Sequence, residues 1–329
     1  MSKLKRREFL FATASLLATP SVAAQTLMKP LRLGLIEFSS AELRKSSEQS
    51  LLEGLRLRGY VEGKNLILER RYADGQPERV PEIAKELAAM KLDAIVTTCT
   101  PTTLNMSRAT GTIPIVMARV SDPVSSGLVS SLARPGKNVT GLSSQFEDVA
   151  PKMLELLLDT VSNAASIGVV FNPNNLTHKI FLREIEAGAR ARNVRTLPVD
   201  MGLNVQMKKA FDAMTQQSVA SLLVLPDDPV LLHRRQPIAE LALRNRLPSF
   251  FGVREAVEDG GLMSYGASMS AAYQHVAYYV DRIAKGTRPA DLPVQQPTTF
   301  ELVINLKTAK ALGITIPQSI LLRADRVIK

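Results

Sequence analysis

The sequence predicts two Rossmann-like α/β lobes with parallel sheets, joined by a hinge that the chain crosses more than once. Three observations predict it. Short β-rich runs alternate with helix-period patterns from residue 31 onward. The alternation restarts near residue 150, so there are two βα series. The strand runs are largely continuous apolar stretches, as expected where helices cover both faces of a parallel sheet.

Leu31 to Phe38 reads as the first strand. Glu48 to Arg58 reads as the end of a helix, with Leu51, Leu52 and Leu55 on one face and Gly59 as its stop. Asn65 to Tyr72 is a second strand. In the helix over Pro77 to Met90, the residues Val80, Ile83, Ala84, Leu87 and Ala88 recur at i, i+3, i+4, i+7 and i+8. Ala94 to Thr98 and Ile113 to Ala118 are strands, with a short helix from Pro101 between them. In the second series, Met153 to Leu158 belongs to a helix capped by Asp148, with Pro151 in its first turn. Strands follow over Ser166 to Phe171, Arg195 to Val199, Ser221 to Leu225 and Pro248 to Phe251. Helices between them run through Leu182, Ile185 and Ala189, around Phe211, and through Ile238, Leu241 and Ala242. A helix over 269–284 gathers Val276, Tyr279, Val280 and Ile283 on one face and is expected to return to the first lobe. The segment from Phe300 to Asn305 is expected to return to the second. The first lobe is then 25–142 with about 267–295, and the second 143–266 with about 296–329. No Pro- or Gly-rich linker separates them.

Residues 1–24 read as a cleavable secretory signal. Lys3, Lys5, Arg6 and Arg7 precede an apolar run from Phe9 to Ala18, then Pro20 and the small residues Val22-Ala23-Ala24. Cleavage after Ala24 leaves Gln25 as the first residue of a periplasmic protein. Arg6-Arg7-Glu8-Phe9-Leu10 resembles a twin-arginine signal, and both export routes stay open. No later run is long enough to span a bilayer, so no stable membrane insertion is expected. The single cysteine, Cys99, permits no internal disulfide, and the fold must rest on its core. Formal charge is +10, and removing the first 24 residues, with four basic side chains and one acidic, leaves +7. That charge is mostly interleaved with acids. With aromatics at 5% and no Trp there is no stacking platform, so a nucleic-acid partner is not expected.

Ligands of open α/β sheets bind beyond the carboxyl ends of the strands, at helix N-termini. Those ends here carry Ser39 and Ser40, then Thr100, Thr102 and Thr103, then Ser121 and Asp122. In the second half they carry Asn172, Asn174 and Asp227. Thr102 and Thr103 suit an anionic group, because hydroxyls and free N–H groups meet there. Asp122 and Asp227 suit an ammonium. Each is also an ordinary cap or turn residue, so capping and ligand contact both stay open at every position. Tyr265 falls at an expected lobe crossing, where it either lines the cleft or packs the hinge. No Gly-x-Gly-x-x-Gly follows the first strand, so no dinucleotide cofactor is expected. His178, His233 and His275 lack metal-ligand spacing and read as helix-surface residues. Cys99 has no base near it in sequence and reads as a buried structural thiol. No cofactor, metal or catalytic residue is expected.

Five stretches together resemble the ABC-transporter substrate-binding proteins of the kind that includes tryptophan- and tyrosine-binding members. They are Gly59-Tyr60-Val61-Glu62-Gly63-Lys64-Asn65, Ser121-Asp122-Pro123-Val124, Ser131 through Gly141, Gly260 through Gly266, and Phe300 through Leu312. The likeness runs from about residue 31 to the end. It implies a type I periplasmic-binding fold with a cleft between lobes. It also implies a small-molecule solute, an amino acid or another aromatic or small organic compound, and an inner-membrane permease with its ATPase as partners. For amino-acid-binding members, the turns Thr100 to Thr103 and Ser121-Asp122 would face the ligand. The expectation is a monomeric periplasmic receptor that captures its solute by lobe closure and is not an enzyme. The alternatives are an exported sensing domain for a membrane kinase and an α/β enzyme using the same cleft.

Overall fold

The computed structural model describes residues 29–144, 149–161 and 164–329. The predicted signal and the Asp148 cap lie outside the described residues. The first series forms β1 (Leu31–Glu37), α1 (Ala41–Arg56), β2 (Leu66–Tyr72), α2 (Arg79–Ala89), β3 (Ala94–Thr97), α3 (Thr100–Ala109), β4 (Ile115–Ser121) and β5 (Val139–Ser144). Its five strands are parallel, in the order β2-β1-β3-β4-β5. The second series forms α4 (Val149–Thr160), β6 (Ser166–Phe171), α5 (Leu176–Ala191), β7 (Arg195–Asp200), α6 (Met207–Gln216) and β8 (Ser221–Val224). It continues with α7 (Pro229–His233), α8 (Arg235–Arg244), β9 (Ser249–Phe251), α9 (Arg254–Glu258) and β10 (Met263–Ala267). The chain then makes α10 (Met269–Ala284), β11 (Phe300–Asn305), α11 (Leu306–Leu312), α12 (Gln318–Leu321) and β12 (Arg326–Ile328).

Strands six to twelve make the second sheet, in the order β12-β11-β10-β9-β8-β6-β7. Two parallel-sheet α/β lobes result, with one departure: β11 runs antiparallel to β10. The hinge accounts for it. The chain leaves the second sheet at Ala267 and re-enters it at Phe300, and these two residues face each other in the β10–β11 pairing. A strand that exits and a strand that enters at the same edge must run in opposite directions. The returning segment is also tied to the first sheet, where Gln295 N donates to Gly141 O at 3.0 Å and Ser143 N to Gln295 O at 2.9 Å.

The helix α10 lies against α1, β4 and β5 of the first sheet. Its apolar face brings Val276, Ala277 and Val280 onto Leu51 and Leu55 of α1 and Leu33 and Leu35 of β1. The two helices approach closely at Gly54, where a Cβ would stand 2.7 Å from Gln274 O. Only a residue without a side chain fits there. The opposite face of this sheet is covered by α2 and α3, through Ile83, Leu87 and Met106. The second sheet is covered likewise, by α4 and α5 on one face and α6 and α8 on the other. Helices on both faces leave only the strand ends open to a ligand.

Candidate functional site

The carboxyl ends of the two sheets face each other across a cavity of about 680 Å³. On the second lobe the turns after β6 and β8 are knitted together from beneath. His178, in the first turn of α5, is fully buried. Its Nδ1 accepts from Asn172 N at 2.9 Å and its Nε2 meets Pro226 O at 2.9 Å, which requires the neutral ring protonated at Nε2. Burial holds its pKa below the usual value, against the opposing pull of Asp228. This corrects the expectation of a helix-surface histidine. A buried imidazole with both nitrogens bonded to backbone is a cross-link between two loops. Asp228 completes the knot: it caps α7 through Leu231 N at 2.9 Å and accepts from Asn172 Nδ2 at 3.0 Å. Asn175 caps α5 and donates to Asp227 O at 2.8 Å. These bonds hold Asp227 in left-handed backbone, φ 67°, at the cavity wall.

On the first lobe, Thr100, Ser121 and Asp122 line the cavity, as do Asn172, Asn174 and Asp227 from the second. Ser121 N donates to Thr100 Oγ1 at 3.3 Å, joining the ends of β3 and β4. Asp122 is exposed at the rim and caps its own turn through Ser125 N at 2.9 Å, and hydrogen bonds from Ser125 lower its pKa. Thr102 and Thr103 point the other way. Both are fully buried, both hydroxyls donate to Cys99 O at 2.9 Å, and neither residue lines the cavity. Ser39 is buried and Ser40 is half-buried at the N-cap of α1, and both also lie off the cavity wall. Tyr265 stacks on Phe300 with ring centroids 5.8 Å apart, packing the β10–β11 pair at the hinge. Cys99 is at the wall, and burial pushes its thiol up to about 11, which favours the protonated form at neutral pH.

The structure adds wall residues that the turn signals did not reveal. Phe38, Leu104, Leu203, Val230, Leu231 and Phe251 make most of the wall apolar, and Arg119 places a cation in it. In the sequence Phe38, Leu104 and Phe251 read as parts of strands or of a helix, and nothing in their local pattern turns them to a cleft. Beneath Arg119 lies a buried network: Arg44 Nε is 3.2 Å from Glu37 Oε2, and Tyr273 OH donates to Glu37 Oε1 at 2.6 Å. Burial and the charge of Glu37 raise the Tyr273 pKa well above its usual value, so the phenol stays protonated.

The lobes touch around the cavity. Ser121 Oγ donates to Asp227 Oδ2, Arg254 Nη2 to Ser270 Oγ at 3.0 Å, and Arg235 Nη2 to Leu43 O at 3.4 Å. Val230 of α7 enters the apolar cluster of Phe38 and Ala73 in the first lobe. The His233 ring lies so close to Gly75 that a Cβ there would stand 2.5 Å from it. Among the described residues no group of three or more His, Cys, Asp or Glu is placed to hold a metal ion. Likewise, no helix is long and apolar enough to cross a membrane.

Comparison with known proteins follows the same lines. The family model described as ABC transporter substrate binding protein matches residues 33–328. A tyrosine-binding protein of Clostridioides difficile (strain R20291) is 26% identical over 288 residues, 86% of this chain and 81% of that protein. A conserved domain protein of Vibrio cholerae O1 biovar El Tor superposes with a TM-score of 0.82 at 31% identity, covering 91% of this chain and all 100% of that one. An ABC domain from Streptococcus pneumoniae in complex with L-Trp superposes with a TM-score of 0.79 at 27% identity, covering 90% of this chain and 100% of that one.

Proposed function

The chain belongs to the ABC transporter substrate-binding protein family, and from that premise we propose that it captures an amino acid or a similar small amphipathic solute by lobe closure. The observation that carries this reading is a cavity of about 680 Å³ walled by strand-end turns of both lobes. Contacts from both walls favour the closed form over the open one, and a solute that bridges them shifts the population accordingly. The mostly apolar wall with a few polar and charged groups suits a solute with an apolar side chain and a polar head. The tyrosine-binding relative and the L-Trp complex support the same solute class.

Delivery follows from the family, whose members serve an ABC permease. The receptor is a periplasmic monomer that begins at Gln25 after removal of residues 1–24, and it performs no chemistry on its solute. Thermal-shift screening of the common amino acids, aromatic acids and amines tests the solute class, since a ligand at 100 times its Kd adds about 2.7 kcal/mol of stability. A screen in which amino acids leave the melting temperature unchanged, while another class raises it, overturns that class. N-terminal sequencing of the periplasmic fraction tests export, and intact Met1 in cytoplasmic protein alone overturns it.

A further inference from the structure

A second cavity, of about 250 Å³, opens between the lobes away from the strand ends, walled by α1 of the first lobe and by α8 and α9 of the second. Arg235 stands in the partition, lining both this cavity and the cleft. Glu255 of α9 lines the new cavity from within the protein: the residue is 7% exposed. Among the described residues neither of its carboxylate oxygens has a hydrogen-bond partner. A buried carboxylate without a donor is costly and calls for a cation. The charge of Glu255 acts on Arg44 and Arg235. Neither answers it directly, because Arg44 Nε is 3.2 Å from Glu37 and Arg235 Nε is 2.9 Å from Asp259. Glu258, on the same wall, is engaged by Arg326 at 2.7 Å. Glu42 adds an exposed carboxylate from α1, and Lys45 sets an opposing charge beside it.

We propose that this cavity is a second binding site, for a small organic cation with N–H donors, an ammonium or a guanidinium, anchored by Glu255. A carboxylate accepts at both oxygens, and such a cation brings two or more donors to them. Ser46 and Gln49, on the α1 wall, offer a hydroxyl and an amide for the remaining donors. Among the described residues no group of three or more metal-binding side chains is placed to hold an ion, and a single free carboxylate is no coordination sphere for a divalent cation. Because its walls come from both lobes, the site is complete only while the lobes touch, and its occupant adds to the contacts that hold them together. The proposal is independent of which solute the cleft takes.

The experiment is thermal shift with methylammonium and guanidinium chlorides, titrated through the millimolar range. Sodium and tetramethylammonium chlorides at equal ionic strength are the controls, the second carrying the charge without an N–H donor. Ligands this small bind with Kd on the order of millimolar. The wild-type melting temperature is expected to rise saturably with methylammonium and guanidinium and to stay flat with the controls. Glu255→Gln keeps the shape of the side chain and is expected to lose about 10- to 100-fold in affinity for both cations. Ser46→Leu keeps the carboxylate, fills the cavity from the exposed face of α1, and should abolish the effect as well. Lys45→Met removes the opposing charge and should bind methylammonium several-fold more tightly. The ligand-free melting temperature of each variant reports whether it folds, and if Glu255→Gln does not, Ser46→Leu decides. No rise in the wild type, an equal rise with tetramethylammonium or sodium, or a rise undiminished in Glu255→Gln or Ser46→Leu overturns the proposal. Weaker binding in Lys45→Met overturns it too.

Discussion

His178 and Glu37 illustrate how single buried polar residues position this site without touching a solute. His178→Phe would keep much of the ring and remove both nitrogens, leaving Asn172 N–H and Pro226 C=O unsatisfied. Each orphaned group costs about 1–3 kcal/mol, so a lower urea midpoint at neutral pH is expected. Its titration adds a pH dependence whose sign follows from burial. The folded pKa lies below 6.5, so the unfolded chain binds more protons as pH falls through that value. Stability is full above about 6.5 and declines below it, which denaturation at pH 7.5 and 5.5 would show. His178→Asn removes that part of the decline. Glu37 is 1% exposed and answers Arg44, itself 2% exposed. Glu37→Gln leaves the guanidinium buried without its carboxylate, and a loss of about 3–5 kcal/mol in unfolding free energy is expected.

At the scale of elements, α1 with α10 and α7 with the first lobe are the decisive contacts. Gly54→Ala would drive a Cβ into Gln274 O of α10, a backbone atom that cannot swing away. Overpacking of this kind costs about 1–3 kcal/mol, and thermal melting should report it. The α7 contact is of another kind, because it forms only when the lobes meet. Burial, then the charge of Arg234, lowers the His233 pKa, with Asp74 opposing and Arg235 and Arg44 adding to the effect. Asp74 is itself bonded to Arg79. His233 Nδ1 is buried without a hydrogen-bond partner. A proton on this ring adds a cation beside three arginines, so the closed form binds fewer protons than an open one with His233 in water. Lowering pH through about 6.5 therefore favours opening. Solution scattering should show the wild type expanding between pH 7.5 and 5.5, and His233→Gln should not expand.

For the whole molecule, the proposed capture turns on an equilibrium between lobes that touch and lobes that part. Among the described residues, the β10–β11 pair and the Gln295 bonds join the two lobes through ordered backbone, which suits the hinge motion proposed for capture. Gly75 matters here in two ways: its φ of +76° disfavours any side chain, and the space above it is filled by His233. Gly75→Ala should thus weaken closure as well as folding. The expected signature is a several-fold loss in solute affinity together with the lowered melting temperature that a side chain at this φ imposes, measured by calorimetry and thermal shift together.

The fold was legible in the sequence because hydrophobic periodicity is a local signal. The helix expected over 269–284 and the strand from Phe300 to Asn305 have those limits in the structure. The strand-end turns were legible for the same reason, and six of the residues read from them, Thr100, Ser121, Asp122, Asn172, Asn174 and Asp227, line the cavity. What a turn signal does not carry is direction. Thr100, Thr102 and Thr103 read alike in sequence, yet one reaches the wall and two donate inward to Cys99 O. His178 reads as a surface helical residue until α5 is laid across the sheet, when its first turn covers the ends of β6 and β8. Arg119 stands just past the strand expected over Ile113 to Ala118, and nothing local sets it near Asp227, which comes from a lobe more than a hundred residues away. Local chemistry determined the elements and their caps. Which side chains meet across the cleft was decided only when two separately folded sheets came face to face, because burial and charge pairing depend on neighbours that the linear order does not place together.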